Sequence, residues 1–455
     1  MDATTERLVD FALRAEFDAL TAETVRECKR RLIDTFAGAM GAYNEALSQK
    51  ARAIARYYSR ATGASVWGSA LQTAPEAAAF ANGVMLRFLD ISDTYMGKSR
   101  GHPSDVISGI VAVGESVHAD GRSVINAITL AYDVYCSFMN AVDINSKGWD
   151  QPVYGVLAGV LGAGKLLRLS REQMANAVSL ALTPNMALGQ TRQGDLSSWK
   201  GCAGANAARN AVFAAMLAHE GFTGPTAVFE GKRGLWDIVG RFEWPLPASS
   251  GSLHMVTRTH LKSLPICYHG QSAVLGALDM RARLRVQDIT EIQVEAYREA
   301  VAMMGNDPTR WAPTTRETAD HSMPYVIAIA LLDGEVTARS FAHERLTDPA
   351  VVNLMRKVKV SESAALSAQY PESMPSRLSI RMSSGEVFTA EVRYPKGHAK
   401  NPMDDAEVEQ KFRSLFREYG DERQCERALQ GLWDFDRATD IGNVLKLFLP
   451  VIFTK

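Results

Sequence analysis

Cysteine is scarce and scattered. Cys28, Cys136, Cys202, Cys267 and Cys425 form an odd set with no Cys-x-x-Cys pair. That excludes a disulfide framework and a zinc ribbon, and points to reduced thiols in the cytoplasm. Long apolar runs are missing too. The longest weakly polar stretch, 153–164, is glycine-rich and falls short of the roughly 18 apolar residues of a membrane span. The opening residues, Met1-Asp2-Ala3-Thr4-Thr5-Glu6, have no apolar core behind them, so no secretory leader is expected. Neither sign of charge prevails: Lys plus Arg is 50, Asp plus Glu is 51, and the net charge is -1. A general nucleic-acid binder carries a basic surplus, so only a local basic pocket for a small anion stays open. His-Glu-x-x-His, Gly-x-Ser-x-Gly and paired Cys/His ligand spacings are absent. Residues 159–165 do match the phosphate-loop spacing. They lie in a helical context, however, and Leu166 stands where Ser or Thr is needed. Small residues for helix packing are the reading there.

What is present is a chain of 455 residues, 46% hydrophobic and 22% charged. It is long enough for two or three domains with ample apolar surface to bury. The first half reads as helices. Val25, Cys28, Leu32, Ile33 and Phe36 recur at helical spacing within 24–43. Further helices are expected over 76–89, 151–167, 172–182 with Ser170 as N-cap, and 200–219, stopped by Gly221. The stretch 106–138 should break at Asp120-Gly121, with Gly121 in a turn and Ser123 capping the next helix. After about residue 285 the period changes to two. Ile292, Val294 and Ala296 alternate with Gln293, Glu295 and Tyr297, and Val358 and Val360 repeat the pattern. Leu378, Ile380 and Met382 lead through Ser383-Ser384-Gly385 into Phe388, Ala390 and Val392, a hairpin. Helix returns over 405–449. The expected fold class is mainly α with an inserted α+β domain. A large all-helical domain is drawn from 1–265 and 405–455, and a smaller α+β domain spans 266–404.

Three segments concentrate polar chemistry. Asp90, Asp93 and Thr94 in Leu89–Tyr95 precede Gly101-His102-Pro103-Ser104-Asp105 across a short loop. If one helix ends near Tyr95 and the next begins near Pro103, these groups converge at the junction. The plainer reading makes Asp93, Thr94 and Ser104 caps and His102 a surface histidine. The segment 190–201 ends at a helix start. There Lys200, free N–H groups and the helix dipole would hold a carboxylate; the plainer reading has Lys200 solvated and Ser197 or Ser198 as N-cap. In 261–270, Lys262 and His269 flank an apolar turn. A lysine among apolar neighbours takes a lowered pKa and can act as a base. Cys267 between them reads first as a packing thiol.

Together, Leu89-Asp-x-x-Asp-Thr94, Gly101-His-Pro-Ser-Asp105, Trp199-Lys200-Gly201 and Lys262-x-x-Pro265-x-x-x-His269-x-Gln271 resemble the MmgE/PrpD family. So do Ala319-Asp320-His321-Ser322-Met323-Pro324-Tyr325 and Tyr394-Pro395-Lys396-Gly397-His398. The resemblance spans roughly residues 5 to 415. It implies chemistry on small polycarboxylates without metal or cofactor: dehydration of 2-methylcitrate, decarboxylation of cis-aconitate or epimerisation of iminodisuccinate. The shared step moves a proton at a carbon beside a carboxylate. It also implies a homodimer, with the site between the helical domain and the inserted lid. The Thr94-to-His102 spacing, Pro103-Ser104-Asp105 and Pro265-x-x-x-His269 are similar to the methylcitrate dehydratase branch. The decarboxylase branch carries a Gly-aromatic-His motif where this chain has Gly148-Trp149-Asp150.

The expectation is a cytoplasmic hydro-lyase for a hydroxy di- or tricarboxylate, with no nucleic-acid or membrane partner. His102 or Lys262 takes the α-proton, with His269 and the other groups placed for acid assistance. Lys200 and Arg192 clamp the substrate carboxylates and stabilise the intermediate. Asp90 and Asp93 orient His102 and the lysines, and Thr94 donates a hydrogen bond. The alternatives are a decarboxylase or epimerase on the same scaffold, or a carboxylate-binding protein without activity.

Overall fold

The computed structural model describes residues 1–247 and 254–450; 248–253 and 451–455, within the expected helical domain, lie outside the described residues. The chain is mainly helical, with a small mixed sheet in its C-terminal part. Ala22–Gly41 buries Cys28, Leu32, Ile33 and Phe36, the face set by their spacing. Pro75–Phe88 and Pro152–Leu166 both pack on Trp199–His219. That last helix buries Ala203, Ala205, Ala207, Ala208 and Ala211, side chains small enough to let helix backbones approach closely. Residues 159–165 lie inside Pro152–Leu166, so the phosphate-loop spacing belongs to helix packing. Ser170 caps Arg171–Leu182 in a capping box with Gln173.

Two helix ends differ from expectation. Between Ile107–Ser116 and Gly121–Ala141 the N-cap is Asp120, whose side chain accepts from the Ser123 N–H. Ser123 is no cap, and Gly121 opens the helix instead of turning the chain. A Cβ on Gly121 would lie 1.6 Å from the Phe435 carbonyl oxygen, so close approach requires glycine there. The helix expected over 76–89 runs Pro75–Phe88, so no helix ends near Tyr95 as the convergence reading supposes. The helix stops because Asp90 adopts φ 50°, in the left-handed region. A short antiparallel pair, Tyr95–Met96 with Arg100–Gly101, follows. A 3₁₀ turn, Pro103–Val106, then leads into the next helix.

The sheet has four strands in the order Val358–Glu362, Ile289–Ala296, Ser376–Met382, Val387–Val392. The first pair is parallel and the others antiparallel. The hairpin expected around Gly385 joins the last two, with Gly385 at φ 88°. Gln271–Arg281 packs on this hairpin. One apolar core runs from Leu8 to Leu261 and takes in Met403 to Phe448. A second holds Ile266 to Met382. The chain therefore leaves one core after Leu261 and returns to it at Met403. Asp405–Phe416 is the returning helix, and it packs on Ala22–Gly41.

Candidate active site

The segments carrying chemistry meet in one cleft of about 580 Å³, counted out to its mouth. Asp90, Thr94, His102, Arg192, Lys200, Lys262 and His269 all line it. Asp90 is the common partner of two lysines. Lys262 Nζ donates to its carbonyl and to Oδ1, both at 2.8 Å, and Lys200 Nζ lies 3.2 Å from Oδ2. Lys262 is 1% exposed. Burial pulls its pKa down, the Asp90 carboxylate pulls it back, and Arg87 adds to the lowering; the net shift is downward. Burial alone would raise the Asp90 carboxyl, but Lys200, Lys262 and Arg87 hold it well below the usual carboxylate range.

Lys200 is placed by the first turn of Trp199–His219, whose N-cap residue Ser198 makes no side-chain capping bond. The plainer reading, with Ser198 capping and Lys200 in solvent, therefore does not hold. The ammonium instead faces Asp320 Oδ1 at 3.0 Å and His321 Nδ1 at 3.3 Å, as well as Asp90. Asp90, Asp320 and His321 are close enough to share a metal ion, and the lysine ammonium stands among the same three groups. Gly204, one turn on, is needed for this packing: a Cβ there would lie 2.1 Å from Asp105 Oδ2.

His102 Nδ1 lies 2.7 Å from the Asp93 carbonyl oxygen. A carbonyl only accepts, so Nδ1 carries the proton and Nε2 holds the lone pair. Burial, with Arg87 and Lys262 nearby, lowers its pKa well below that of a free histidine. The ring is therefore neutral at pH 7 and a base at Nε2. Asp93 acts through its backbone. Its carboxylate stands behind the cavity wall, accepting from Ser104 N–H at 2.9 Å and Tyr132 Oη at 2.8 Å. Thr94 donates to the Gly101 carbonyl at 3.0 Å, leaving its oxygen as an acceptor. Neither Asp93 nor Thr94 caps a helix. His269 Nδ1 sits 2.6 Å from Tyr297 Oη, while its buried Nε2 has no partner among the described residues. Burial, then Arg100, His321 and Lys262, lower its pKa well below the ordinary value. Arg192 Nε lies 3.1 Å from both oxygens of Asp150, and its Nη2 is buried without a partner.

Several cavity residues were not singled out from the sequence as site residues. Arg87 pairs with Asp105 at 3.1 Å. Gln151 donates to Asp105 at 3.2 Å. Cys267 lines the cleft beside His321. Burial would raise its thiol, but His321 outweighs it and the pKa falls. Asp105, Asp320 and His321 already lay within the quoted motifs. Arg87 and Arg100 carried no local signal.

The sequence matches the MmgE/PrpD N-terminal domain over residues 6–244 and the MmgE/PrpD C-terminal domain over 264–435. It is 28% identical over 425 residues to a 2-methylcitrate dehydratase of Cupriavidus necator, covering 86% of this chain and 85% of that protein. It is 28% identical over 368 residues to a 2-methylcitrate dehydratase of Escherichia coli (strain K12), covering 75% of each. A cis-aconitate decarboxylase of Homo sapiens is 27% identical over 421 residues, covering 87% of this chain and 84% of that protein.

Proposed function

The chain belongs to the MmgE/PrpD family, and from that premise we propose that it is a hydro-lyase. Its substrate is a small hydroxy di- or tricarboxylate of the 2-methylcitrate kind, and no metal or cofactor takes part. The names of the dehydratase relatives support the reaction class. The observation that carries the reading is His102, a neutral ring with its basic nitrogen left free by the Asp93 carbonyl, on a wall shared with Arg192, Lys200 and Lys262.

His102 Nε2 takes a proton from the carbon beside a carboxylate, and the C–H electron pair moves into that carboxylate. Lys200, Lys262 and Arg192 supply the positive field that stabilises this charge in a partly closed site. The pair then returns to form the carbon–carbon double bond as the neighbouring C–O bond breaks. The hydroxyl leaves as water with a proton from Lys262, whose lowered pKa makes its ammonium a better acid. His269 Nε2, buried and without a partner among the described residues, faces the substrate. Asp90 and Asp93 act as positioning residues for the lysines and for His102, and Thr94 accepts from the substrate. The same reading divides the chain into a helical domain, 1–265 with 405–455, and a lid, 266–404; the two apolar cores support it. It places a homodimer in the cytoplasm, acting on small molecules and not on nucleic acid. Among the described residues no helix is long and apolar enough to cross a membrane.

The decarboxylase relative gives the second reading. Against it, Asp150 follows Trp149 where that branch carries histidine, and its carboxylate is taken up by Arg192. Proton NMR in D₂O with 2-methylcitrate, citrate, cis-aconitate, malate and iminodisuccinate separates the cases. The expected result is an alkene resonance from a hydroxy acid, slowed about 10²–10⁴-fold in His102→Ala, with little change in melting temperature. Release of CO₂ makes the protein a decarboxylase, and deuterium wash-in without alkene makes it an epimerase. Ligands that raise the melting temperature and are recovered unchanged make it a binding protein.

A further inference from the structure

Five cationic side chains line the cleft: Arg87, Arg100, Arg192, Lys200 and Lys262. Four are already paired with carboxylates: Arg87 with Asp105, Arg192 with Asp150, Lys262 with Asp90, and Lys200 with Asp90 and Asp320. Arg100 is the exception. Among the described residues its guanidinium makes one hydrogen bond, from Nη2 to Met303 Sδ at 3.3 Å. A thioether is a weak acceptor, so the planar fork of donors stays nearly unmatched. The side chain is partly buried, and its charge reaches His269, where it opposes protonation. Beside it lies another unmatched group, His269 Nε2, buried and without a partner among the described residues. A guanidinium fork takes a carboxylate through two parallel hydrogen bonds, and the imidazole nitrogen completes a recess for one.

Position fixes which carboxylate this is. Arg100 and His102 are two residues apart on extended backbone, which sets their side chains on one face, about 6–7 Å apart along the chain. An anion held at Arg100 would thus lie beside the carbon that the proposed mechanism has His102 deprotonate, and the carboxylate on that carbon is already assigned there to Lys200, Lys262 and Arg192. We propose that Arg100, together with His269, selects substrates bearing a third carboxylate, carried on neither of the two carbons that lose hydrogen and hydroxyl. The proposal rests on the hydro-lyase reading for the word substrate, and makes that substrate a tricarboxylate.

The test compares citrate, which has such a third carboxylate, with malate, which lacks it, by calorimetry on wild type, Arg100→Gln and Arg100→Lys. Loss of a charged hydrogen-bond partner typically weakens binding about 10–100-fold. Arg100→Gln should lose that much affinity for citrate and stay within about 2-fold for malate. Arg100→Lys should recover part of the loss, since it keeps the charge and not the fork. For the tricarboxylate that is turned over, KM should rise far more than kcat falls. Equal losses on citrate and malate, an unchanged citrate affinity, or a wild type that binds citrate no better than malate overturns the proposal. Wild type that binds citrate well but dehydrates no member of the panel overturns the hydro-lyase reading and leaves the Arg100 comparison standing.

Discussion

Asp90 holds both lysines through its two carboxylate oxygens and its carbonyl, from a backbone conformation that residues other than glycine rarely adopt. Such strain, roughly 1–3 kcal/mol, persists only where surrounding bonds fix it, and here Lys262 is the fixing group. His102 stands under similar constraint, locked by the Asp93 carbonyl into the tautomer that leaves Nε2 basic. On the proposed mechanism its depressed pKa sets the acid limb. Because the neutral ring is the working form and its folded pKa lies well below 6.5, kcat/KM should stay flat as pH falls through 6.5 and drop only below it. A pH profile with wild type and His102→Gln checks this. A limb at or above 6.5, or one that survives the substitution, removes His102 as the base. At this scale the sequence was partly legible. The histidines and lysines stood in recognisable spacings, whereas the pairs Arg87–Asp105 and Asp150–Arg192 exist only once distant segments meet. That is why the unpaired state of Arg100 could not be read from its neighbours in the chain.

Trp199–His219 illustrates how an element delivers a site residue. Its first turn carries Lys200, and the next presents Gly204 to the Asp105 carboxylate. Two glycines three residues apart therefore behave oppositely. Gly201 has nothing within 4 Å of a built Cβ, so Gly201→Ala should raise stability by up to about 1 kcal/mol through helix propensity. Gly204→Ala should lower it by about 1–3 kcal/mol through overpacking, and should reduce turnover by shifting Asp105 and Arg87. Urea melts of both variants measure the contrast, and two shifts of the same sign would contradict it. Most elements were legible because their periodicity is local: the hairpin around Gly385 and the N-cap at Ser170 followed from short-range pattern. The path of the chain beyond Leu89, where the helix expected over 76–89 ends, was not legible. Leu89 and Ile91 continue an apolar pattern, and what turns the chain is Asp90, bonded to a lysine 172 residues away.

For the whole molecule, two cores flank a cleft rich in ionisable groups, and its stability should depend on pH accordingly. Burial keeps His102, His260, His269 and His398 neutral, the last pushed down to about 4. With folded pKa values below the unfolded value, their contribution is complete above about pH 6.5 and is lost as pH falls toward the folded values. His321 is shifted upward and works the other way, so among the histidines four oppose one. The melting temperature should fall by about 5 °C or more between pH 7.5 and 5. Scanning calorimetry decides it, and a flat or rising profile would mean that these rings are charged in the fold. Lys411 ties the halves of the body together at this same place, with its ammonium on Asp34 and on the carbonyls of Ile91 and Lys262. Consider that clamp during synthesis. Residues up to Leu261 leave the ribosome with their core still lacking Met403, Phe412 and Phe416. At about 5–20 residues per second, the missing helix arrives roughly 8–30 s later. The second core, drawn from one unbroken stretch of chain, can close in that interval. The nascent protein can thus finish its second core first, and the backbone around Asp90 and Lys262 is clasped only when the final helices emerge.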